Sequence, residues 1–384
     1  MKIVTVTLVG PAHAKLIPDM LTSVRWADDH LLVSWNMSEE ERAIIEDEIA
    51  KGSEGALENC TLYRVVTERV DFADARNQAL RIASNMFAGH VVLMIDSDER
   101  WLGESPDRDV FVRGEYWRVK VSDKLTVCAP MPRFFSPYGR GDFVGRVHEY
   151  FDPKGDEPGE HDIPGEIVST PKNDGALWHK WNRDLPILLT SSREDPLNIR
   201  WKFYLGETYR GLAFLVRQAA FLEAEEGEQR NSVLQQARDL AAQGVLYYMS
   251  AAKIVNTAHD YDKAVTDWDR EQAGFAAYRA SVLSREHDRP LLESLDCIAI
   301  GVIACPWLAE LPWHAAWIYF GLRQHQMAVY WARIAKATQA LNGPRHGFQE
   351  VVALGNGPEE IEGFALKAQG NPLGDEILRG AGVL

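Results

Sequence analysis

The stretch Val91-Val92-Leu93-Met94-Ile95, followed at once by Asp96-Ser97-Asp98-Glu99, constrains this chain more than any other. Five consecutive apolar residues, three of them β-branched, suit a strand buried on both faces, as in a parallel sheet. Three carboxylates within four residues then sit where that strand emerges at its C-terminal end. Open α/β sheets bind ligands along that edge. Alternate residues of an extended chain face opposite ways, but a turn at the strand end lets Asp96 and Asp98 converge on one hard divalent cation, which takes oxygen ligands. The competing reading is a solvated acidic turn.

The residues before this stretch predict the α/β pattern. Ile3 to Val9 is a β-rich run ended by Gly10-Pro11, and a helix is expected from about Pro18, with Leu16, Met20, Leu21 and Val24 on one face. A strand over His30–Trp35 follows, then an acidic helix from Ser38 to Lys51. Its N-cap would be Ser38 with Glu41 three residues on, and Ile44, Ile45 and Ile49 would face the core. A third strand over Cys60–Val66 leads to a helix over Asp71–Ala83 with Ala75, Ala79, Ile82 and Ala83 on its apolar side. Strand and helix alternating in this way build a mostly parallel sheet through right-handed crossovers.

From Arg113 to Phe151 short β-type runs broken by Pro and Gly read as antiparallel hairpins beside the main sheet. Asp152 to Asp174, rich in Pro, Gly and Glu, reads as a loop, and Ala176–Trp181 as the last short element of the first domain. Beyond residue 182 the apolar spacing is helical nearly throughout. Trp201-Lys202-Phe203-Tyr204-Leu205-Gly206-Glu207-Thr208-Tyr209 is close to the first half of a tetratricopeptide repeat, with a degenerate second copy over Ala315–Ala332. The alternative is a generic helical bundle. Two domains, 1–182 and 183–384, fit the length of 384 residues.

Composition narrows the function classes. A net charge of −15, from 41 basic against 56 acidic residues, argues against broad adhesion to nucleic acid or anionic membrane. Cys60, Cys128, Cys297 and Cys305 form no close pairs, so neither a zinc cage nor a secreted disulfide framework is expected. The N-terminal apolar run is too short for a signal peptide, and no apolar segment reaches membrane-spanning length, so a cytoplasmic protein is expected. The chain lacks Gly-x-Gly-x-x-Gly after its first strand, any P-loop and any Gly-x-Ser-x-Gly elbow.

Four features carry chemistry. Beside the Asp96–Glu99 cluster stands Arg76, whose fork can grip a phosphate in a way Lys cannot. Its helix is expected to begin near the opposite edge of the sheet unless the loop bends inward, and a surface ion pair with Asp71 or Asp74 is the plainer reading. The third is a local basic patch, Arg118, Lys120, Lys124, Arg133, Arg140 and Arg146, which includes the titratable pair His148-Glu149. The fourth is His179 among tryptophans, either a packed residue or a third ligand for Mn²⁺.

Residues 1–182 resemble the family-2 inverting glycosyltransferases of GT-A fold, and more narrowly the subgroup with tetratricopeptide-like helices after the catalytic domain. The matching pieces are Phe72-Ala73-Asp74-Ala75-Arg76-Asn77-Gln78-Ala79-Leu80, Val92–Glu99, Arg133-Phe134-Phe135, Gly145-Arg146-Val147-His148-Glu149 and His179. The resemblance implies a metal-dependent inverting glycosyltransferase of hexosyl type using a nucleotide sugar, with a UDP-sugar the expected donor. It places Asp96 near the nucleotide and ribose, with Thr7, Ser97, Arg76 and Arg146 on the donor. Asp98, with Asp96 and His179, would hold Mn²⁺ or Mg²⁺. Glu149, with His148 the alternative, would be the base. The second strand ends Val33-Ser34-Trp35, without the acid this subgroup uses there for nucleotide recognition.

The other reading is a catalytically decayed scaffold whose helices bind a peptide, protein or nucleic acid. Helical repeats present concave surfaces to peptides, which favours a peptide or protein acceptor over a glycan, a lipid or a modified nucleic acid. The helical region is also the expected surface for any homo-oligomer.

Overall fold

The computed structural model describes the chain except residues 36, 53–58, 66–70, 112–115, 123–130, 137–140, 155–159, 171, 223–226, 262–263, 342 and 344–354. It divides into two compact units, Met1–Lys172 and Asn173–Leu384. The division falls ten residues before the boundary expected from sequence, because Ala176–Trp181 opens a long helix of the second unit.

The first unit is α/β. Its elements begin β1 (Ile3–Val9), α1 (Ile17–Ser23), β2 (Asp29–Trp35), α2 (Glu39–Gly52), β3 (Cys60–Val65), α3 (Phe72–Met86) and β4 (Val91–Met94). They continue with β5 (Glu99–Leu102), β6 (Tyr116–Ser122), β7 (Met131–Phe135), β8 (Gly141–Val144), β9 (Tyr150–Pro153) and β10 (Glu160–Ser169). Eight strands form one curled mixed sheet in the order β3-β2-β1-β4-β7-β6-β10-β5, and β8 pairs with β9 apart from it. The first four are parallel, while β7 runs antiparallel to β4 and β6.

Alternation along the central strands sorts the core into two layers. Ile3, Val9, Leu32, Leu93 and Ile95 pack with α1 and α2, while Val4, Val6, Leu31, Val33, Val92 and Met94 pack against Ala79 and Ala83 of α3. The small alanine face lets α3 lie close to the sheet. Each fully buried Val, Leu or Ile contributes roughly 1.5–3 kcal/mol relative to exposure, so β1 and β4 anchor the unit. The capping box of α2 is realised: Ser38 N donates to Glu41 Oε2 at 2.8 Å and Glu41 N to Ser38 Oγ at 3.2 Å. Ile45 is buried as expected, but Ile44 is half exposed, one residue round the helix from the core stripe.

Two expectations on this unit are corrected. The runs over Tyr116–Val121 and Arg133–Phe135 do not stand beside the sheet, since β6 and β7 extend it directly from β4, whereas the run from Phe143 falls on β8, which pairs antiparallel with β9 apart from the sheet as expected; the expected strand over Leu125–Cys128 lies outside the described residues. The segment from Asp152 also holds more than a loop: β10 pairs parallel with β6 and antiparallel with β5. Its Pro164-Gly165 sits where the register shifts between Asp162 and Glu166, a bulge that tolerates Pro. Gly165 adopts φ +131°, and a Cβ there would lie 2.3 Å from the Trp101 ring.

The second unit is all-helical among its described residues. Its helices are α4 (Asp174–Glu194), α5 (Ile199–Leu222), α6 (Glu228–Asn256), α7 (Asp267–Glu286), α8 (Leu291–Ala304), α9 (Glu310–Gly321), α10 (His325–Gln339), α11 (Gly357–Ala368) and α12 (Leu373–Gly380). The helix expected over Trp313–Leu341 is two, broken where Arg323 takes φ 59°. The first repeat-like motif lies on α5, where Gly206 leaves room for the Tyr248 ring of α6; a Cβ would meet it at 2.4 Å. Tyr248 Oη then donates to Glu207 Oε1 at 2.5 Å, and Arg210 pairs with Glu207 at 2.8 Å. No described helix is long and apolar enough to cross a membrane.

Candidate functional site

In the first unit the chain goes from β1 to β2 to β3 on one side and then crosses to β4 on the other side of β1. That reversal leaves a crevice beyond the C-terminal ends of β1 and β4, the binding position of open α/β sheets. Asp96, Ser97 and Asp98 form the turn there. Ile95 N donates to Val6 O at 3.1 Å and Glu99 N to Asp96 O at 3.0 Å, which fixes the turn to the central strands.

Arg76 reaches this edge from α3. A crossover helix runs antiparallel to the strands it joins, so it starts at the edge where the preceding strand ended; the expectation that α3 begins at the opposite edge is overturned. Its N-cap is Asp71, accepting from Asp74 N at 3.0 Å. Arg76 therefore pairs with neither Asp71 nor Asp74. Its Nη2 donates to Asp96 Oδ2 at 3.0 Å and its Nε to Glu149 Oε1 at 2.5 Å, joining residues 20 and 73 positions away. The guanidinium also lies 5.7 Å from the Phe143 ring centroid.

Glu149 is delivered by the loop between β8 and β9. Gly145 (φ 104°) and His148 (φ 51°) turn the backbone, and Val147 is buried beneath it. A non-glycine residue at positive φ costs about 1 kcal/mol or more and persists where its surroundings over-determine it. Here they do: Arg146 O accepts from Phe72 N at 3.0 Å, tying the loop to the start of α3. Asn77 exchanges two bonds with the Phe143 backbone, at 2.7 and 2.8 Å. This positioning duty of Asn77 is not legible in sequence, because the backbone it bonds lies 66 residues further along the chain.

The remaining carboxylates are matched by cations. Arg133 Nη2 donates to Glu99 Oε1 at 2.6 Å, and Glu99 Oε2 accepts from Asp96 N at 2.9 Å. Lys172 Nζ lies 3.1 Å from Asp98 Oδ2, and Thr170 N donates to Asp98 O at 2.7 Å. Lys172 was not singled out from sequence, since it arrives at the end of β10, a segment read as loop. Burial opposes ionisation of Asp96, but Arg76 and then Arg133 outweigh it and hold that carboxyl well below the usual range. Burial pushes the Glu99 carboxyl up, against the pull of Arg133. The Asp96 side chain keeps 32% of its surface exposed, which leaves it open to a ligand, whereas Arg76 keeps 11%.

Other expected site residues are held in other ways. Thr7 is fully buried within β1 with its hydroxyl donating to Met20 Sδ at 3.9 Å, so it does not reach the crevice. Ser97 is buried, its carbonyl accepting from Arg100 Nη1 at 3.2 Å. His179 is exposed on α4 of the second unit. The basic patch is largely neutralised: Arg118 pairs with Asp162 at 2.9 Å and Lys120 with Glu166 at 3.2 Å, because β10 lies beside β6. Lys124 and Arg140 lie outside the described residues.

The resemblance implies a divalent cation at this turn. A hard cation needs several converging oxygens. Among the described residues no three His, Cys, Asp or Glu side chains are grouped to hold one. Asp98 Oδ2 faces Lys172, Asp96 Oδ2 faces Arg76, and both Glu99 oxygens are engaged. In this arrangement the residues do not fit a bound metal.

No protein-family model matches the chain, and no curated protein matches its sequence. Among solved structures it is similar to yeast Tom70, at 11% identity and a TM-score of 0.25, over 54% of this chain and 48% of that one. The chain spans about half of that structure, and a likeness of this size carries no argument about fold or function.

Proposed function

We propose that the first unit is a GT-A-type glycosyltransferase domain that moves a sugar from a nucleotide-sugar donor, a UDP-sugar in the first instance, to an acceptor hydroxyl or thiol. The observation that carries this reading is the Arg76 bridge. One guanidinium touches Asp96, at the mouth of the switch-point crevice, and Glu149, on a strained loop from a different part of the chain.

The chemistry follows from that placement. The donor's diphosphate lies at the C-terminal ends of β1 and β4, where the N-terminal turn of α3 presents its positive dipole. Asp96 accepts from the ribose or base. Glu149 takes the proton from the acceptor as its oxygen or sulfur attacks the anomeric carbon. The bond from that carbon to the diphosphate oxygen breaks, the pair of electrons leaves with the nucleoside diphosphate, and the configuration inverts. Arg76 supplies positive charge beside the leaving group and orients Glu149, so both halves of the reaction share one side chain.

The helical unit belongs to the same proposal as a tetratricopeptide-like surface for a peptide or protein acceptor, supported by the Gly206–Tyr248 packing of its first motif. The test is a panel of UDP-, GDP- and TDP-sugars, following release of nucleoside diphosphate with cell extract as acceptor source. Release with one donor, abolished in Glu149→Gln, supports the reading; absence of both binding and release across the panel removes it.

A further inference from the structure

We propose that Lys172 is the resident counter-cation of this site, and that it holds the donor's diphosphate beside Asp98 without a divalent metal. The inference rests on the donor site proposed above and concerns how that site meets phosphate charge.

Four carboxylates, Asp96, Asp98, Glu99 and Glu149, surround the crevice, and three cations, Arg76, Arg133 and Lys172, are bonded to them. Arg76 and Arg133 are nearly buried, with 11% and 12% of their side-chain surface exposed. Lys172 keeps 40%, so it is the cation with surface left to offer a ligand. An ammonium has three donors on a flexible stem. It can keep one on Asp98 and give another to a phosphate oxygen.

The pairing is not a chance reach of a long surface side chain. Ser169 is in register with Glu99 across the β10–β5 ladder, and Thr170 donates from its backbone to the carbonyl of Asp98. Two backbone anchors therefore deliver Lys172 to the acidic turn. Asp98 is 13% exposed, so its charge is poorly shared with water and benefits from a fixed partner. A divalent cation at Asp98 would have to displace that partner and would still find the facing oxygens of Asp96 and Glu99 engaged.

The experiment is calorimetric titration of the full chain with UDP, in EDTA and separately with Mn²⁺ or Mg²⁺. The expected result is the same affinity in all three for the wild type. Lys172→Ala should bind UDP about tenfold or more weakly in EDTA and with Mn²⁺ alike, because the facing oxygens of Asp96 and Glu99 stay engaged. Lys172→Arg should keep the metal-independent behaviour. Binding by the wild type only when Mn²⁺ or Mg²⁺ is present overturns the inference and leaves the glycosyltransferase reading standing. Unchanged affinity of Lys172→Ala in EDTA also overturns it. Failure of UDP and the other nucleoside diphosphates to bind under any condition overturns the donor site itself.

Discussion

Arg76 donates to two carboxylates with different duties, so its substitutions should separate charge from geometry. Lysine retains the charge but cannot span from Asp96 to Glu149 with a planar fork. Arg76→Lys is therefore expected to fold normally, bind UDP within a few-fold of wild type, and lose turnover by on the order of 10²-fold, as happens when a catalytic group is misoriented. Arg76→Ala leaves Asp96 and Glu149 without their counter-charge and should cost about 2 kcal/mol of stability as well, read by urea denaturation. Glu149→Gln keeps the shape and removes the proton acceptor. Its transfer rate should fall on the order of 10²–10⁴-fold with donor affinity retained, and a wild-type rate would remove Glu149 from the chemistry. Residue identities at this site were legible in sequence as a set, since Arg76, Asp96, Asp98 and Glu149 were all singled out. Their pairings were not. Lys172 and Asn77 act through contacts whose partners lie far off in the chain, and no local spacing encodes those.

At the scale of elements, close helix packing and buried histidines set the expectations. Gly206 on α5 has the Tyr248 ring where a Cβ would stand, so Gly206→Ala must push α5 and α6 apart. Such overpacking costs about 1–3 kcal/mol, and thermal denaturation followed by circular dichroism should show the loss. His314 on α9 lies 5.6 Å from the Tyr278 ring, and burial, aided by Arg285, pushes its pKa down from 6.5 to about 3. His287, at the end of α7, is pushed to about 4 by burial, with Arg217 adding to it. Both are neutral when folded and charge readily when unfolded. Their contribution to stability is thus complete above pH 6.5 and declines as pH falls from there toward about 3–4. Helical signal at 222 nm should show a falling midpoint below about pH 6.5, and His314→Phe should flatten part of that slope; an identical slope would place the acid sensitivity elsewhere. Element type was mostly readable from periodicity, as the capping box of α2 illustrates. β10 was not, because Pro164 and Gly165 look like loop until a neighbouring strand accommodates them in a bulge.

The whole molecule carries a net charge of −15, and several bases that look clustered in sequence are paired with acids in the fold. Electrostatic capture of polyanions depends on unpaired surface charge and weakens steeply with salt. The full chain should therefore show no retention on heparin and no binding to anionic vesicles at about 0.15 M salt. Retention there would mean that a basic surface outweighs the overall charge, and would reopen nucleic acid or lipid as the acceptor class.

The sequence alone determined the α/β character of the first unit, the helical character of the second, and the position of the acidic turn at the end of a buried strand. Those depend on short-range periodicity and on which residues water rejects, and both are written locally. Tertiary structure decided what the acidic turn is bonded to. Asp96, Asp98 and Glu99 read as carboxylates waiting for a cation, and the fold supplies Arg76 from α3, Arg133 from β7 and Lys172 from the segment after β10. Charge pairing depends on distance in space, which is set only once β7 and β10 have taken their places in the sheet.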